Sequence, residues 1–403
     1  MKFRRLLMVL LAFALLAAAC GSDDDEGGDS AGTDSTTTEG AADESGGDDS
    51  GDADDQMTDD DAVTGGAGDV TAAFIYIGPP GDAGWTFAHD EGRKAAESAT
   101  GATTLFIENV PEADDEVIAA AETFIEQDGA NLIVGTSFGF MDGLEQLSAD
   151  HPDVVFEHIS GFKMNDTNFG NTFGRMYEPR YLSGMAAASV SPTGQLGYVA
   201  AFPIPEVVRG INAFTLGARA INPEATVEVV WTSTWFDPTI EGNSAQALLE
   251  KGVDVLAMHQ DTPSVGQAAE EAGARWVAYN SDMSAFAPTA FITAPVWDWS
   301  GRYTDLINSV GDGSYTPEAY WGGMADGIVG LAPLAGDVPA EVATQIDDLT
   351  AQIVDGTFHP FTGPITDNQG NEVLADGEVH NDGDLLGMAY LVDGVIGEIP
   401  EEG

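Results

Sequence analysis

One cysteine, Cys20, stands in a chain of 403 residues. That excludes an internal disulfide and any thiolate metal cluster, so the folded part must be held together by burial. Basic residues are nearly as scarce. Only 13 Lys and Arg face 68 Asp and Glu, a formal net charge of −55. Such a surface repels phosphate backbones and anionic headgroups, which excludes a nucleic-acid partner. The acid-rich, lysine-poor balance also fits a protein that stays soluble in high salt. Catalytic signatures are scarce as well. No H-E-x-x-H or Walker loop occurs, and the six histidines (His89, His151, His158, His259, His359 and His380) show no metal-ligand spacing. Acids are so abundant that two lying close together carry no information about paired-acid hydrolysis. These absences describe a binder, not an enzyme, with no cofactor and no metal.

The one strongly apolar run lies at the start. Lys2, Arg4 and Arg5 precede Leu6 to Leu16, and Ala17, Ala18 and Ala19 lead to Cys20. A charged start, a short apolar core and a small-residue exit make residues 1–20 a signal peptide, too short to span a membrane. Small residues ending on a cysteine resemble a lipobox, although Ala17 stands where leucine is usual. Cys20 is therefore expected to carry a lipid and become the mature N-terminus, tethering an extracytoplasmic protein to the cell membrane. Residues 21–69 hold almost only Gly, Ser, Thr, Ala and acids, with no Lys or Arg. With nothing to bury and strong self-repulsion, they are read as a disordered, extended stalk. The acid clusters lack the spacing of a calcium loop.

The fold is expected from Val70 onward. Apolar runs at 70–77, 105–107, 132–135 and 154–156 alternate with helical patterns at 85–100, 114–128 and 143–148. The alternation restarts with strands at 196–200, 226–231, 253–257 and 276–278, and helices at 206–220, 243–251 and 264–272. Two such blocks predict an α/β protein of two doubly wound lobes, with ligands bound at the carboxyl ends of the strands. The loops at those ends pair aromatics with acids: Asp82 with Trp85, Phe138 with Asp142, Trp235 with Asp237, and Trp297 with Asp298. His259-Gln260-Asp261 and Asn280-Ser281-Asp282 occupy equivalent places. Aromatic faces stack on flat rings and carboxylates accept ring or amino N–H groups, so a planar nitrogenous ligand is expected. His89, four residues after Trp85, shares its helix face.

Phe74-Ile75-Tyr76-Ile77-Gly78-Pro79-Pro80-Gly81-Asp82-Ala83-Gly84-Trp85-Thr86 resembles the opening of the basic membrane protein family. So do Thr136 to Asp142, Pro203 to Asn212, Trp235 to Pro238, Tyr320 to Met324 and Phe358 to Pro364, and the resemblance covers nearly everything from Val70 to the C-terminus. Members are solute-binding lipoproteins of ABC importers, among them purine nucleoside receptors. The resemblance implies a type I periplasmic-binding-protein fold with three crossings between lobes. It places the N-terminal lobe at 70–175 and 295–323 and the C-terminal lobe at 176–294 and 324–403. It also implies a monomer that captures a purine in the interlobe cleft and delivers it to a permease. Trp85 and Trp235 match the aromatics that sandwich the base. Asp142 matches an acid after the third strand, and Asp282 the acid that holds ribose hydroxyls. Trp297 replaces a frequent cleft lysine, which favours a free base such as adenine. The expected ligand-binding set is Asp82, Trp85, Phe138, Asp142, Trp235, Asp261, Asp282 and Trp297. A surface sensor, a purine nucleosidase and a sugar binder are the competing readings.

Overall fold

The computed structural model describes residues 66–400, so the leader, Cys20 and nearly all of the acidic stalk lie outside the described residues. Of the stretch read as stalk, Ala67–Asp69 forms one 3-10 turn, seated against Gly311.

The first block is β1 (Thr71–Ile75), α1 (Trp85–Thr100), β2 (Thr103–Ile107), α2 (Asp114–Asp128), β3 (Leu132–Gly135), α3 (Met141–Asp150), β4 (Val155–Ile159) and β5 (Phe169–Gly174). The second is α4 (Tyr177–Ser189), β6 (Gln195–Ala200), α5 (Pro205–Ile221), β7 (Thr226–Trp231), α6 (Pro238–Glu250), β8 (Val255–His259), α7 (Ser264–Ala272), β9 (Arg275–Val277) and β10 (Phe291–Thr293). The remainder is β11 (Pro295–Trp297), α8 (Ser300–Gly311), β12 (Ala319–Gly322), β13 (Val329–Leu331), α9 (Ala340–Val354), β14 (Ile365–Thr366), β15 (Glu372–Leu374), α10 (Asp382–Leu386) and β16 (Val395–Ile396).

The first six-stranded sheet has the order β12-β5-β4-β3-β1-β2 and the second β10-β9-β8-β6-β7-β16. Every pairing within them is parallel. Parallel sheets need both faces covered, which is why β3 and β8 are buried at every position. The chain passes between sheets after β5, between β10 and α8, and after β12, and the antiparallel pair β11–β13 lies along these passages. This is the type I periplasmic-binding-protein fold. Gly101 and Gly129 end α1 and α2 in the left-handed conformation, with φ of 73° and 69°.

Several boundaries differ from the sequence reading. The helix expected at 243 starts at Pro238, because Asp237 accepts from Thr239 N and Ile240 N and caps the chain there. The strand expected at 253–257 is shifted to Val255–His259, which carries His259 to the strand end.

Packing is tight where α7 meets β9. A Cβ on Gly266 would overlap the fully buried indole of Trp276. Gly266→Ala is therefore expected to cost about 1–3 kcal/mol of stability, the usual range for overpacking, and chemical denaturation would measure it.

Candidate functional site

The loop after β1 turns on Asp82. Its carboxylate accepts from the backbone N–H groups of Gly84 (2.8 Å), Thr86 (2.9 Å) and Phe87 (2.9 Å), satisfying free donors at the start of α1. Trp85, the first helical residue, is thereby fixed at the lobe edge. Its indole Nε1 donates to Thr136 O at 2.6 Å, and its ring meets His89, Trp297 and Trp299 edge-on at centroid distances of 4.3, 5.6 and 5.7 Å. Trp297 and Trp299 stack at 4.7 Å, and Tyr303 continues the column from Trp299 at 5.9 Å.

Between the sheets lies a cavity lined by both lobes. The first lobe supplies Ile77, Trp85, Ser137, Phe138 and Ser160. The second supplies Glu206, Trp235, His259, Asp261, Tyr279 and Asn280. Ser160 holds φ of 70°, unusual for a side chain larger than glycine.

The lobes touch around this cavity. Trp235 Nε1 donates to Glu112 Oε2 at 3.2 Å. The other oxygen of Glu112 accepts from Ser137 Oγ (2.6 Å) and Gly139 N (2.8 Å). Ser281 Oγ donates to Ala83 O at 2.5 Å. Gly84 lies so near Asp261 that an added Cβ would come within 2.8 Å of its carbonyl carbon and Cα.

Burial governs the electrostatics. It pushes the Asp261 carboxyl well above the usual carboxylate range, and the negative charges of Asp82, Glu241 and Glu206 push it further. Asn280 Nδ2 donates to Asp261 Oδ1 at 3.0 Å, and Asn280 Oδ1 accepts from Trp297 Nε1 at 3.2 Å. Asp82 is pushed up to about 6 by burial, against the three amides it accepts from. His259 is held below its ordinary value by burial, while its contact with Glu206 Oε1 at 3.3 Å pulls the other way.

Of the residues expected from sequence, Trp85, Phe138, Trp235 and Asp261 line the cavity. Asp82 sits behind, capping α1, and Trp297 packs against Trp85. Asp142 and Asp282 do not reach it. Asp142 is exposed and pairs with Lys163 at 3.0 Å, and exposed Asp282 accepts from Ser284 N at 3.0 Å. Glu206, Tyr279, Ser137 and Ser160 also line the cavity, and Glu112 bridges the lobes beside it, none of them in the expected set, while His259 and Asn280 head two of the segments singled out from sequence. Ser137, Ser160 and Tyr279 each lie within two residues of a strand end, so the strand-end rule applied to polar residues would have found them. Among the described residues no group of three His, Cys, Asp or Glu is placed to hold a metal. No described helix is long and apolar enough to cross a membrane.

Residues 69–357 match the family described as ABC transporter substrate-binding protein, PnrA-like. A purine-binding protein of Brucella abortus is 42% identical over 330 residues, covering 81% of this chain and 93% of the relative. A putative ABC transporter glucose-binding protein of Haloferax volcanii is 39% identical over 332 residues, covering 82% of this chain and 81% of the relative. Among solved structures, a solute-binding protein of an ABC transporter system from Aeropyrum pernix superposes with a TM-score of 0.64 at 17% identity, covering 71% of this chain and 92% of that one. One from Conexibacter woesei gives 0.60 at 21%, covering 72% and 98%. At those identities the structures support the fold alone.

Proposed function

The chain belongs to the PnrA-like family of ABC transporter substrate-binding proteins, and from that premise we propose that it captures a purine, adenine above others, in the interlobe cavity and presents it to the permease of an importer. The observation that carries the reading is the lining itself: Trp85 from one lobe and Trp235 from the other, with the Asp261–Asn280 pair beside them. A purine held between two indoles gains about 1–3 kcal/mol per stacked face. The purine-binding relative from Brucella supports the ligand class.

The preference for adenine rests on the upward push on the Asp261 carboxyl, which favours its protonated form. A neutral carboxyl presents an O–H donor beside a C=O acceptor, the complement of a ring nitrogen beside an amino group, as in adenine. An ionised carboxylate presents acceptors only and would suit the adjacent N–H groups of guanine. A mismatched polar group in a dry cavity costs about 1–3 kcal/mol, enough to rank the bases. Calorimetric titration with adenine, hypoxanthine, guanine, adenosine and glucose tests this. Adenine should bind most tightly. Binding of glucose alone, the solute in the name of the Haloferax relative, would overturn the reading.

Capture by lobe closure makes Gly84 critical. Gly84→Ala sets a methyl group against the Asp261 backbone across the lobe boundary. It is expected to weaken adenine binding by roughly tenfold or more, in line with an overpacking cost of about 1–3 kcal/mol. Unfolding of the ligand-free protein, in which the lobes can part, should shift less. Small-angle scattering with and without adenine would register the lost compaction.

The lipid tether at Cys20 belongs to the same proposal. Membrane fractionation should find the native protein in the membrane pellet and a Cys20→Ala protein in the soluble fraction.

A further inference from the structure

Beneath the cavity floor, in the second lobe, five polar atoms are buried without a hydrogen-bond partner: Arg180 Nε and Nη2, Tyr198 Oη, Tyr279 Oη and His259 Nδ1. Three of them surround one point. A methyl group on Gly210 would sit 3.5 Å from Tyr198 Oη, 3.6 Å from Arg180 Nε and 3.8 Å from His259 Nδ1. Arg180 is fully buried, its Nη1 donates to Met258 O at 2.7 Å, and its guanidinium lies 3.6 Å from the centre of the Tyr279 ring. Tyr279 and His259 are also cavity-lining residues, so this cluster is the underside of the ligand site.

The charges there do not balance. Among the described residues, neither Arg180 nor buried Arg209 has a carboxylate oxygen within 4.0 Å. Glu206 is engaged at His259, and burial with the neighbouring acids pushes the Asp261 carboxyl up, toward its uncharged form. Two cations thus share one anion in a dry region, and an unpaired buried guanidinium is costly. Arg180 Nε and Nη2 are obligate donors, and the Tyr198 and Tyr279 hydroxyls, kept protonated by burial, can donate as well as accept. His259 Nε2 faces Glu206, which leaves Nδ1 as an acceptor for one of them. Water can bridge such groups but leaves the guanidinium charge uncompensated, whereas a small anion accepts from the guanidinium and the hydroxyls and supplies the missing negative charge.

We propose that a small monovalent anion of the halide class binds between Arg180, Tyr198 and Tyr279 beneath the floor of the ligand cavity. It neutralises Arg180 and fixes the Tyr279 ring and, through Tyr198, the face of β6 on which His259 packs. The proposal is independent of which solute the cavity captures.

The test compares thermal unfolding of the mature protein in sodium chloride, sodium bromide and sodium gluconate at equal ionic strength. Native protein should unfold roughly 2–4 °C higher in either halide than in gluconate, the shift of a site near saturation. Gly210→Ala fills the site in ordinary van der Waals contact and keeps every charge, so it should fold and lose that difference. Arg180→Met should lose it too, but Gly210→Ala carries the test if the arginine variant fails to fold. Crystals soaked in bromide should show an anomalous peak between Arg180 Nε and the two tyrosine hydroxyls. Equal unfolding temperatures in halide and gluconate, with no anomalous peak, would mean ordered water only and would overturn the proposal. So would a Gly210→Ala protein that keeps the full halide effect.

Discussion

Trp235→Ala is expected to weaken adenine binding by roughly ten- to a hundredfold, the loss of one stacked face, with little change in unfolding temperature. Trp235 is the cleaner probe of the two cavity tryptophans. It lies in a loop, half-buried, with aromatic contacts to Phe202 and His259 and one hydrogen bond across to Glu112. Trp85, in contrast, is 9% exposed, donates to Thr136 O, and packs against His89, Trp297 and Trp299. Trp85→Ala would mix lost stacking with the cost of emptying a core site, about 3–5 kcal/mol for a large aromatic. Calorimetry paired with thermal unfolding separates the effects. Trp235→Phe should recover most of the affinity because a face is restored. If Trp235→Ala binds adenine as well as the native protein does, the sandwich is wrong.

Adenine affinity is expected to fall as pH rises, by up to about tenfold per unit wherever the open protein has lost the Asp261 proton and the closed complex retains it. The sign follows from the direction of the shift. Burial and the neighbouring acids raise Asp261 above the ordinary carboxylate value in the closed arrangement. The closed form therefore binds more protons than an open form in which that carboxyl meets water, and alkali favours opening. Asp82, pushed up to about 6, adds in the same direction up to that pH and is constant above it. Titrations in two buffers of different ionisation enthalpy should show proton uptake on adenine binding. Asp261→Asn retains a donor beside an acceptor and cannot ionise, so it should bind adenine with little pH dependence. An Asp261→Asn protein with the native pH profile would remove Asp261 from the explanation.

Much of the architecture was legible because it follows from periodicity. The helices at 85–100, 114–128 and 264–272 and the strand at 226–231 match the structure end to end. The elements that went unread have physical reasons. Every residue of α4 from Tyr177 to Ala188 is buried, so the helix has no polar face and no 3.6-residue stripe. β5 is the hexapeptide Phe169-Gly170-Asn171-Thr172-Phe173-Gly174, whose polar positions are buried against Glu157 and Lys163 instead of alternating with solvent. The site divides the same way. Aromatics in the loops that follow strands are visible in sequence, and Trp85, Phe138 and Trp235 line the cavity. Glu206, in the first turn of α5, gains its place from His259 on β8, 53 residues away in sequence (259 − 206). No local pattern encodes such a meeting. Asp142 and Asp282 had been placed by resemblance, but their carboxylates are taken up by Lys163 and by the Ser284 amide.

The aromatic column behind Trp85 has an optical consequence. Trp85, Trp297 and Trp299 lie within 5.7 Å of one another, centre to centre, and Tyr303 extends the row. Indoles that close exchange excitation faster than they emit, so light absorbed by any member is shared by all. A heterocycle laid on Trp85 would then darken the whole group at once. Occupancy of the cavity would thus be readable by ultraviolet emission, and the readout would be silent toward any solute too weak in π character to quench it.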